Sequence, residues 1–435
     1  MIRERLTKLD VAVIGGGPAG ITAGLEFSTS PRLKVALFES EAEPGGIPRT
    51  CHLRFFGFRD RKRIYTGAAY AQALIGKLRR TPIRLFTDAT VIKVIPGDSR
   101  EPHRIHVATP EGIRTFQARF IILATGCCEA SRSARLIPGN RPSGVITTGT
   151  LMELVNLRGQ KPGHKALIVG SEHVSLSSVL TLKQAGVEIV GMVEEDPDVQ
   201  TYAAAAGAMK AFYHFPLFRH TSVNAIFGGS RVEEVELYDR RKEKTFRIAC
   251  DTVVLTGKFR AYAPLIDHTA IERDPLTFGP AVDGDFMTSV PGIFCAGNVM
   301  RGANMHDLCA LEGKRAARCI IERSASGRVE GAEASIPIQT RYPVRFVVPQ
   351  RVDPAAMARP FPYWLGPGYS LQVAHTMRRP VLEAWSGEER VWKKSFSRLT
   401  GNARIPLPVH KFDWQRVDKS RALIVKLATE PSQPT

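Results

Sequence analysis

Residues 9–20 read Leu-Asp-Val-Ala-Val-Ile-Gly-Gly-Gly-Pro-Ala-Gly, a short apolar run that leads straight into a glycine-rich turn. The apolar run is typical of a buried strand, and residues 19–27 after the turn have helical character. Residues 34–38 form a second apolar run, so the order strand, turn, helix, strand predicts a βαβ unit. Because crossover helices cover both faces of a parallel sheet, we expect an α/β fold built on such a sheet.

The turn matches the pattern G-x-G-x-x-G directly after a strand. Gly15 permits the tight turn, Gly17 lets the backbone approach a diphosphate, and Gly20 lets the helix pack on the strand. Pro18 and Ala19 complete the turn and begin the helix. A bound diphosphate would therefore meet the free N–H groups at the helix N-terminus.

An acidic residue and a glycine pair extend this pattern towards FAD. Glu39 ends the next strand, 19 residues after Gly20, where a carboxylate accepts a hydrogen bond from a ribose 2′-OH. Gly45 and Gly46 follow, and side chains at these positions would collide with the ribityl chain and the isoalloxazine ring. Arg49 lies just after the pair and is included in the predicted cofactor site.

Two later stretches complete the predicted flavin site. Residues 120–126 form an apolar strand that ends in Thr125 and Gly126. Residues 288–298 form a turn, a strand and a close-approach glycine, Gly297. Four pieces in this order and spacing predict one FAD site assembled from separate parts of the chain.

A helix that begins near Met305 and His306 follows the last of these pieces. Its positive N-terminal end would point at the flavin N1 and C2=O, where negative charge accumulates on reduction. We therefore add Asn298, Met305 and His306 to the cofactor-binding residues.

A second strand, turn and helix begins at residues 165–170 and continues through 175–184, before a strand at 187–193. After about residue 334 prolines become frequent and short alternating runs predict strands. The fold class is thus two Rossmann-like lobes with parallel sheets plus a small C-terminal β-rich domain. We expect the FAD-binding domain in residues 1–150 and 261–330, a degenerate second nucleotide-type domain in 151–260, and the C-terminal domain in 335–430.

With these motifs the chain resembles the pyridine nucleotide-disulfide oxidoreductase superfamily over about residues 8–325. More narrowly, residues 45–52, 56–59 and 65–70 resemble FAD subunits of opine, sarcosine and glycerol-3-phosphate dehydrogenase-type complexes. That resemblance implies two partners, a second flavoprotein subunit together with a small iron–sulfur protein.

The cysteines depart from the superfamily pattern. Disulfide reductases need two cysteines a few residues apart beside the flavin, and after the glycine pair only Cys51 is available. Cys127 and Cys128 are adjacent, which is poor geometry for a redox disulfide. Disulfide reduction is not expected, and the scattered thiols and histidines predict no metal site.

The second lobe and the last motif also depart from the superfamily. Glu172 stands at the middle glycine of the second turn, where its charge and bulk make an NAD(P) site doubtful. Three roles stay open for this lobe. It binds NAD(P)H despite Glu172, it is a vestigial scaffold, or it docks a partner or another nucleotide. Asn298 replaces an acidic residue, and its carbonyl oxygen can still accept a ribityl hydrogen bond.

Catalytic candidates are His306 at the start of the flavin-facing helix and His52 after the glycine pair. Either could take a proton while a hydride moves to the flavin, or serve only in packing and hydrogen bonding. Arg49, Arg54 and Arg59 could clamp a substrate carboxylate or simply be solvated.

The formal charge is +18, with 60 Lys and Arg against 42 Asp and Glu. These charges are spread along the chain, so they suit solubility, an anionic cofactor or substrate, or an acidic partner, and nucleic acid is not expected. No apolar run reaches the roughly 20 residues of a membrane span, and we expect a cytoplasmic location.

These observations predict an enzyme: an FAD-dependent oxidoreductase, or the FAD subunit of one. Its substrate would be a small molecule, namely an amine, amino acid or hydroxy acid oxidised by hydride transfer to flavin N5, and the electrons would pass to a partner. Two alternatives stay open. They are an NAD(P)H-dependent flavin reductase and a non-catalytic interaction subunit stabilised by FAD.

Overall fold

The computed structural model describes residues 6–98, 101–201, 214–327, 329, 335–354, 368–401 and 403–428. The predicted domain ranges also include residues 1–5, 99–100, 202–213, 328, 330, 355–367, 402 and 429–430, which lie outside the described residues. The described chain forms two lobes with parallel sheets and a C-terminal β-rich region. The predicted fold class is therefore confirmed.

The first lobe contains a seven-stranded sheet with the order β3-β2-β1-β6-β5-β4, in which β17 also pairs with β6. Its strands are β1 (Thr7–Ile14), β2 (Val35–Phe38), β3 (Arg84–Phe86), β4 (Thr90–Ile95), β5 (His103–Thr109), β6 (Gly112–Leu123) and β17 (Ile293–Cys295). The second half of β6 runs parallel to β1 and β17, whereas its first half is antiparallel to β5. Strand β17 thus returns the chain to the first sheet beside the end of β6.

The helices of the first lobe are α1 (Pro18–Phe27), α2 (Phe58–Arg61), α3 (Gly67–Leu78) and α6 (His306–Ser326). Helix α1 packs closely on α6: a β-carbon at Gly313 of α6 would lie 1.9 Å from the carbonyl oxygen of Ala19. This approach places the N-terminus of α6 beside the glycine turn that precedes α1.

The second lobe has a five-stranded parallel sheet with the order β11-β10-β9-β15-β8 and an antiparallel sheet of β12, β13 and β14. Its strands are β8 (Val145–Thr147), β9 (Lys165–Val169), β10 (Glu188–Val193), β11 (Leu217–Phe218), β12 (Thr221–Gly228), β13 (Val232–Asp239), β14 (Lys244–Ala249) and β15 (Thr252–Leu255). Its helices are α4 (Thr148–Asn156) and α5 (Ser175–Gln184), and the pair β7 (Cys127–Glu129) and β16 (Phe259–Ala261) joins the lobes. The first strand of this parallel sheet, β8, begins at Val145.

The C-terminal region contains a five-stranded sheet, β20-β18-β27-β23-β24, a three-stranded sheet, β19-β21-β26, and the pair β22-β25. Its strands are β18 (Ile336–Thr340), β19 (Val344–Val348), β20 (Arg351–Val352), β21 (Ser370–Val373), β22 (Met377–Arg378), β23 (Val381–Ser386), β24 (Glu389–Ser395), β25 (Arg398–Leu399), β26 (Ile405–Pro406) and β27 (Leu423–Leu427). It has its own core, but Phe346 and Val348 of β19 pack into the core of the first lobe. Among the described residues, no helix combines the length and apolar character needed to cross a membrane.

Candidate active site

The glycine turn between β1 and α1 has the geometry that its sequence predicts. Gly15 has φ +106°, and a β-carbon there would lie 2.4 Å from the carbonyl oxygen of Ala124. A β-carbon at Gly20 would lie 1.8 Å from the Gly15 oxygen, so both positions exclude any side chain. Gly17 differs, because a β-carbon there would have no atom within 4 Å and would project into open space at the start of α1. This is the space in which a diphosphate would contact the helix N-terminus.

Glu39 is buried beside this turn, with 8% of its surface exposed. Its Oε2 accepts a hydrogen bond of 2.7 Å from the N–H of Gly16. Its Oε1 accepts bonds from the N–H of Glu41, at 2.9 Å, and the hydroxyl of Ser40, at 3.1 Å. These donors fix the orientation of the carboxylate, and Oε2, which accepts only one of these bonds, has a further lone pair for a ribose hydroxyl.

The glycine pair closes against the turn. Gly45 has φ +125° and donates its N–H to the Gly16 oxygen at 2.7 Å. Gly46 has φ +59°, and a β-carbon there would lie 3.1 Å from the α-carbon of Gly17. The backbone is therefore close-packed beside the space that Gly17 leaves open.

The strand ends that carry Thr125 and Gly297 line the same cavity. Thr125 donates its hydroxyl to the Tyr262 carbonyl oxygen at 2.5 Å, and Gly126 has φ +77°. Gly297 has φ +81°, and a β-carbon there would lie 3.1 Å from the β-carbon of Ala19. The structure thus brings the separated pieces of the predicted site to one cavity.

Asn298 organises the start of α6. Its Oδ1 accepts a hydrogen bond of 2.8 Å from the N–H of Asn304 and one of 3.1 Å from the thiol of Cys309. Asn298 also forms a hydrogen bond with Cys127, whose pKa is raised to about 12, chiefly by burial. The amide therefore holds three chain segments together, and its predicted contact with a ribityl hydroxyl stays a prediction.

A buried ion pair under Gly297 is a feature that sequence reasoning did not identify. Glu312 accepts a bond of 3.0 Å from the Gly297 N–H and one of 2.5 Å from Arg301. The side chains of Glu312 and Arg301 are each 2% exposed. Burial raises the pKa of Glu312, while the charges of Arg301 and Arg404 oppose that increase.

His306 lines the cavity at the first position of α6. Its ring stacks on Phe56 with centroids 3.7 Å apart and meets the Tyr70 ring edge-on at 5.3 Å. Burial lowers the pKa of His306 to about 4, so the ring is neutral at physiological pH. Its Nε2 is buried and has no hydrogen-bond partner among the described residues.

His52 is placed elsewhere. Its Nδ1 lies 3.1 Å from the Gln184 Oε1 at the end of α5, and the residue is exposed and absent from the cavity lining. Nearby, Asn156 donates to the Thr50 carbonyl oxygen at 2.7 Å. The segment after the glycine pair therefore docks on the second lobe, and the structure gives His52 a bridging contact.

The three candidate arginines line the cavity but differ in their contacts. Arg49 donates to the Glu43 carbonyl oxygen and lies 3.6 Å from a Glu41 oxygen, so its charge is partly satisfied. Arg59 reaches the start of α6, where it lies 3.3 Å from the fully buried Asp307 and 3.0 Å from the sulfur of Met305. Arg54 is exposed at the cavity wall.

The glycine turn, Glu39, Gly46, Thr125, Gly297, Asn298 and His306 line one cavity of about 1940 Å³ that extends between the two lobes, whereas His52 does not. Sequence reasoning also missed its contributions from the C-terminal region, Tyr342, Arg345 and Arg404, since no local motif marks them. The open space at Gly17, the oriented Glu39 and the backbone approach at Gly46 fit FAD. Across the described residues, no group of three or more His, Cys, Asp or Glu side chains could hold a metal ion.

Comparisons with known proteins agree with this geometry. Residues 9–316 match the family of pyridine nucleotide-disulphide oxidoreductases. Thioredoxin reductase of Yarrowia lipolytica is 26% identical, over 68% of this chain and 91% of the relative. An opine oxidase subunit of Agrobacterium tumefaciens is 24% identical over 66% of this chain and 61% of its own length.

The covered share of the other similar proteins varies widely. The alpha subunit of sarcosine oxidase from Corynebacterium is 25% identical over 58% of this chain, but the match spans only 26% of that protein. Among solved structures, thioredoxin reductase of T. acidophilum superposes with a TM-score of 0.61 at 17% identity, over 73% of this chain and 99% of that one. L-proline dehydrogenase of P. horikoshii gives 0.58 at 22% identity, over 74% of this chain and 57% of that one.

Proposed function

The chain belongs to the pyridine nucleotide-disulphide oxidoreductase family and is a flavoprotein oxidoreductase, and we propose that it is an FAD-dependent dehydrogenase or the FAD subunit of one. Its substrate class is a small amine, amino acid or hydroxy acid. Its electrons leave to a partner rather than through a cysteine pair.

The observation that carries this proposal is the cavity wall at the N-terminus of α6. There the neutral His306 ring lines the cavity, and its buried Nε2 has no hydrogen-bond partner among the described residues. Cys51 is unsuited to act as the attacking thiol of a disulfide reductase. It is buried with its sulfur 3.8 Å from the Ser177 hydroxyl, and burial raises the pKa of the thiol. A neutral imidazole can accept a proton from a substrate N–H or O–H, whereas a protonated thiol is a poor nucleophile.

Other residues suit the binding of an anionic substrate. FAD, when bound, supplies the hydride acceptor for the oxidation. Arg54 is exposed at the cavity wall, and a guanidinium can hold a carboxylate through two parallel hydrogen bonds. Arg59 is already paired with Asp307, so its role is to hold the start of α6 in position.

A protein partner is supported by the rim of the cavity. Several large apolar side chains both line the cavity and are exposed: Phe55, Leu136, Tyr262, Phe278, Met305 and Tyr342. A cluster of exposed apolar side chains commonly marks a surface that binds another protein. Since two relatives are named as subunits of oxidases, we assign this rim to a second flavoprotein subunit, with a small iron–sulfur protein as a further electron carrier.

The test is an anaerobic reduction assay on the FAD-loaded protein. Amines, opines, amino acids, imino acids and hydroxy acids are mixed with it in turn, and bleaching of the flavin band is followed. The panel is repeated with an artificial acceptor dye and with any protein that copurifies from the native source. We expect bleaching by one of these classes and dye turnover with it.

The same assay decides the alternatives. Relatives named as ferredoxin–NADP reductases, such as that of Leuconostoc citreum at 24% identity, favour the NAD(P)H-dependent reductase. Fast bleaching by NADH or NADPH would establish that activity and overturn our proposal. If neither the nucleotides, the substrates nor the copurified protein change the flavin spectrum, the chain is a non-catalytic interaction subunit stabilised by FAD.

A further inference from the structure

The first glycine of the second lobe's turn repeats the geometry of the first glycine of the flavin turn. Gly170 after β9 has φ +112°, close to the +106° of Gly15 after β1. Each donates its N–H at 2.8 Å to the last residue of the neighbouring strand, Gly170 to Val193 and Gly15 to Phe38. The strand end and first glycine thus keep the geometry of a dinucleotide site, although α5 begins at Ser175 whereas α1 begins at Pro18, the counterpart of His173.

The ribose acceptor is also retained. Glu194 follows β10 as Glu39 follows β2, and it comes 19 residues after Ser175, the same spacing as between Gly20 and Glu39. Glu194 is 6% exposed. Its Oε2 accepts a hydrogen bond from the Ser171 hydroxyl, and its Oε1 accepts one of 2.9 Å from the N–H of Asp196. The carboxylate is therefore oriented in the same way as the one in the flavin site.

A third piece recurs at the neighbouring strand. Strand β15 is followed by Thr256 and Gly257, just as β6 leads to Thr125 and Gly126. Gly257 has φ +63°, and Gly126 has φ +77°. The second lobe thus keeps the first glycine of its turn, its acid and its strand-end glycine.

Two motif glycines are replaced: Ser175 stands at the position of Gly20, and Glu172 stands at the position that Gly17 holds in the first lobe. Its Oε2 accepts a bond of 2.7 Å from the Thr256 hydroxyl. A β-carbon at Gly170 would lie 2.6 Å from the Glu172 carboxylate, and one at Gly257 would lie 2.0 Å from it. The side chain therefore lies across the carboxyl ends of β9 and β15, where a dinucleotide diphosphate must pass, while the equivalent space at Gly17 is open.

The surroundings hold this carboxylate in place. Arg135 donates to the carbonyl oxygens of Thr256 and Gly257, at 2.8 and 3.0 Å. The charges of Arg135 and Lys258 and the Thr256 hydroxyl oppose the increase in the pKa of Glu172 that burial causes. The positive charges of Arg135 and Lys258, which could attract a diphosphate, instead act on the Glu172 carboxylate.

We propose that the second lobe is a site for an NAD-type dinucleotide that the Glu172 side chain keeps closed. Glu172 is thus the residue that excludes nicotinamide nucleotides. Because the Glu194 carboxylate can accept a hydrogen bond from a ribose 2′-OH and repels a 2′-phosphate, the opened site would prefer NAD to NADP. The inference concerns binding to the second lobe alone and stands whether or not the proposed substrate class is correct.

The test measures binding of NAD⁺, NADP⁺ and ADP-ribose to the FAD-loaded protein by calorimetry. The wild type should show no saturable binding at millimolar ligand. Glu172→Gly should bind NAD⁺ and ADP-ribose at least about tenfold more tightly and prefer NAD⁺ to NADP⁺. Adding Glu194→Ala to Glu172→Gly should abolish most of the gain.

Controls separate opening of the site from other effects. Glu188→Ala removes an exposed carboxylate of the same lobe and should leave binding as in the wild type. Flavin absorbance and circular dichroism report folding, and Glu172→Ala serves as a second opening variant should the glycine variant not fold. Saturable NAD⁺ binding by the wild type, or no gain in a folded Glu172 variant, would overturn the proposal.

Discussion

Glu312 and Arg301 form an ion pair of 2.5 Å whose two side chains are almost completely buried under Gly297. Glu312 also accepts the N–H of Gly297, so one carboxylate fixes both the Arg301 cation and the glycine turn that lines the cavity. The pair supports the site without belonging to any of its sequence motifs.

Replacing Glu312 by Gln should destabilise the protein and weaken its hold on FAD. Glutamine can still accept the Gly297 N–H, but Arg301 is left as a buried, uncompensated charge, which costs about 3–5 kcal/mol. Thermal unfolding and the flavin released on dilution measure the two effects. Glu322→Gln, at an exposed position of the same helix, should behave as the wild type. Equal stability of the two variants would refute a structural role for the pair.

Gly17→Ala should separate cofactor binding from folding. A β-carbon at Gly17 meets no protein atom within 4 Å, so we expect an unchanged fold with little bound FAD. Gly76→Ala provides the matched control, because a β-carbon there also has no neighbour within 4 Å but lies on the exposed side of α3. Circular dichroism and flavin absorbance are the measurements. Full FAD content in Gly17→Ala would show that this space does not hold the cofactor.

Much of the fold follows from local patterns in the sequence. Helix α5 spans Ser175–Gln184 as predicted, and β9 and β10 match their predicted runs to within a residue. The glycine turn is equally local, since its constraints act between residues that are neighbours in the chain or in adjacent strands. Glu194 could also have been predicted, because it repeats the spacing that identified Glu39.

The remainder depends on contacts between distant segments. Arg301 precedes α6 and Glu312 lies on it, so they meet because the turn at 302–305 folds back on the helix. His52 follows the glycine pair in sequence, yet its ring contacts Gln184 of the second lobe, since sequence proximity does not determine the direction of a side chain. No motif places Arg345 of the C-terminal region in the cavity wall.

Asp283 should make stability depend on pH. Burial raises the pKa of Asp283 to about 6, the neighbouring Asp285 adds to the increase, and the N–H of Met287 and the charge of Arg323 oppose it. The folded state then binds the proton more tightly than the unfolded state. The resulting stabilisation is complete below about pH 4 and is lost as the pH rises to about 6.

Asp283→Asn should remove that dependence. The unfolding free energy of the variant minus that of the wild type should increase by on the order of 2–3 kcal/mol as the pH rises from 4 to 8. Denaturant unfolding at several pH values measures this difference. Parallel profiles for the two proteins would show that Asp283 does not titrate in this range.

His306→Phe tests the group that carries the proposed chemistry. Phenylalanine keeps the stack on Phe56 but cannot accept a proton, so flavin reduction by the identified substrate should slow by about 10²- to 10⁴-fold with normal FAD content. Because the pKa of His306 is near 4, the wild-type rate should show no ionisation of this ring between pH 6 and 9.

The comparison needs a histidine substitution away from the cavity, and His268→Asn at an exposed turn provides it. This variant should reduce at the wild-type rate. Added imidazole should restore part of the rate in a smaller variant, His306→Ala, since a free base can enter the space that the ring leaves. A wild-type rate in His306→Phe would instead show that the ring only packs between Phe56 and Tyr70, and that the substrate amine or hydroxyl loses its proton to another group or to water.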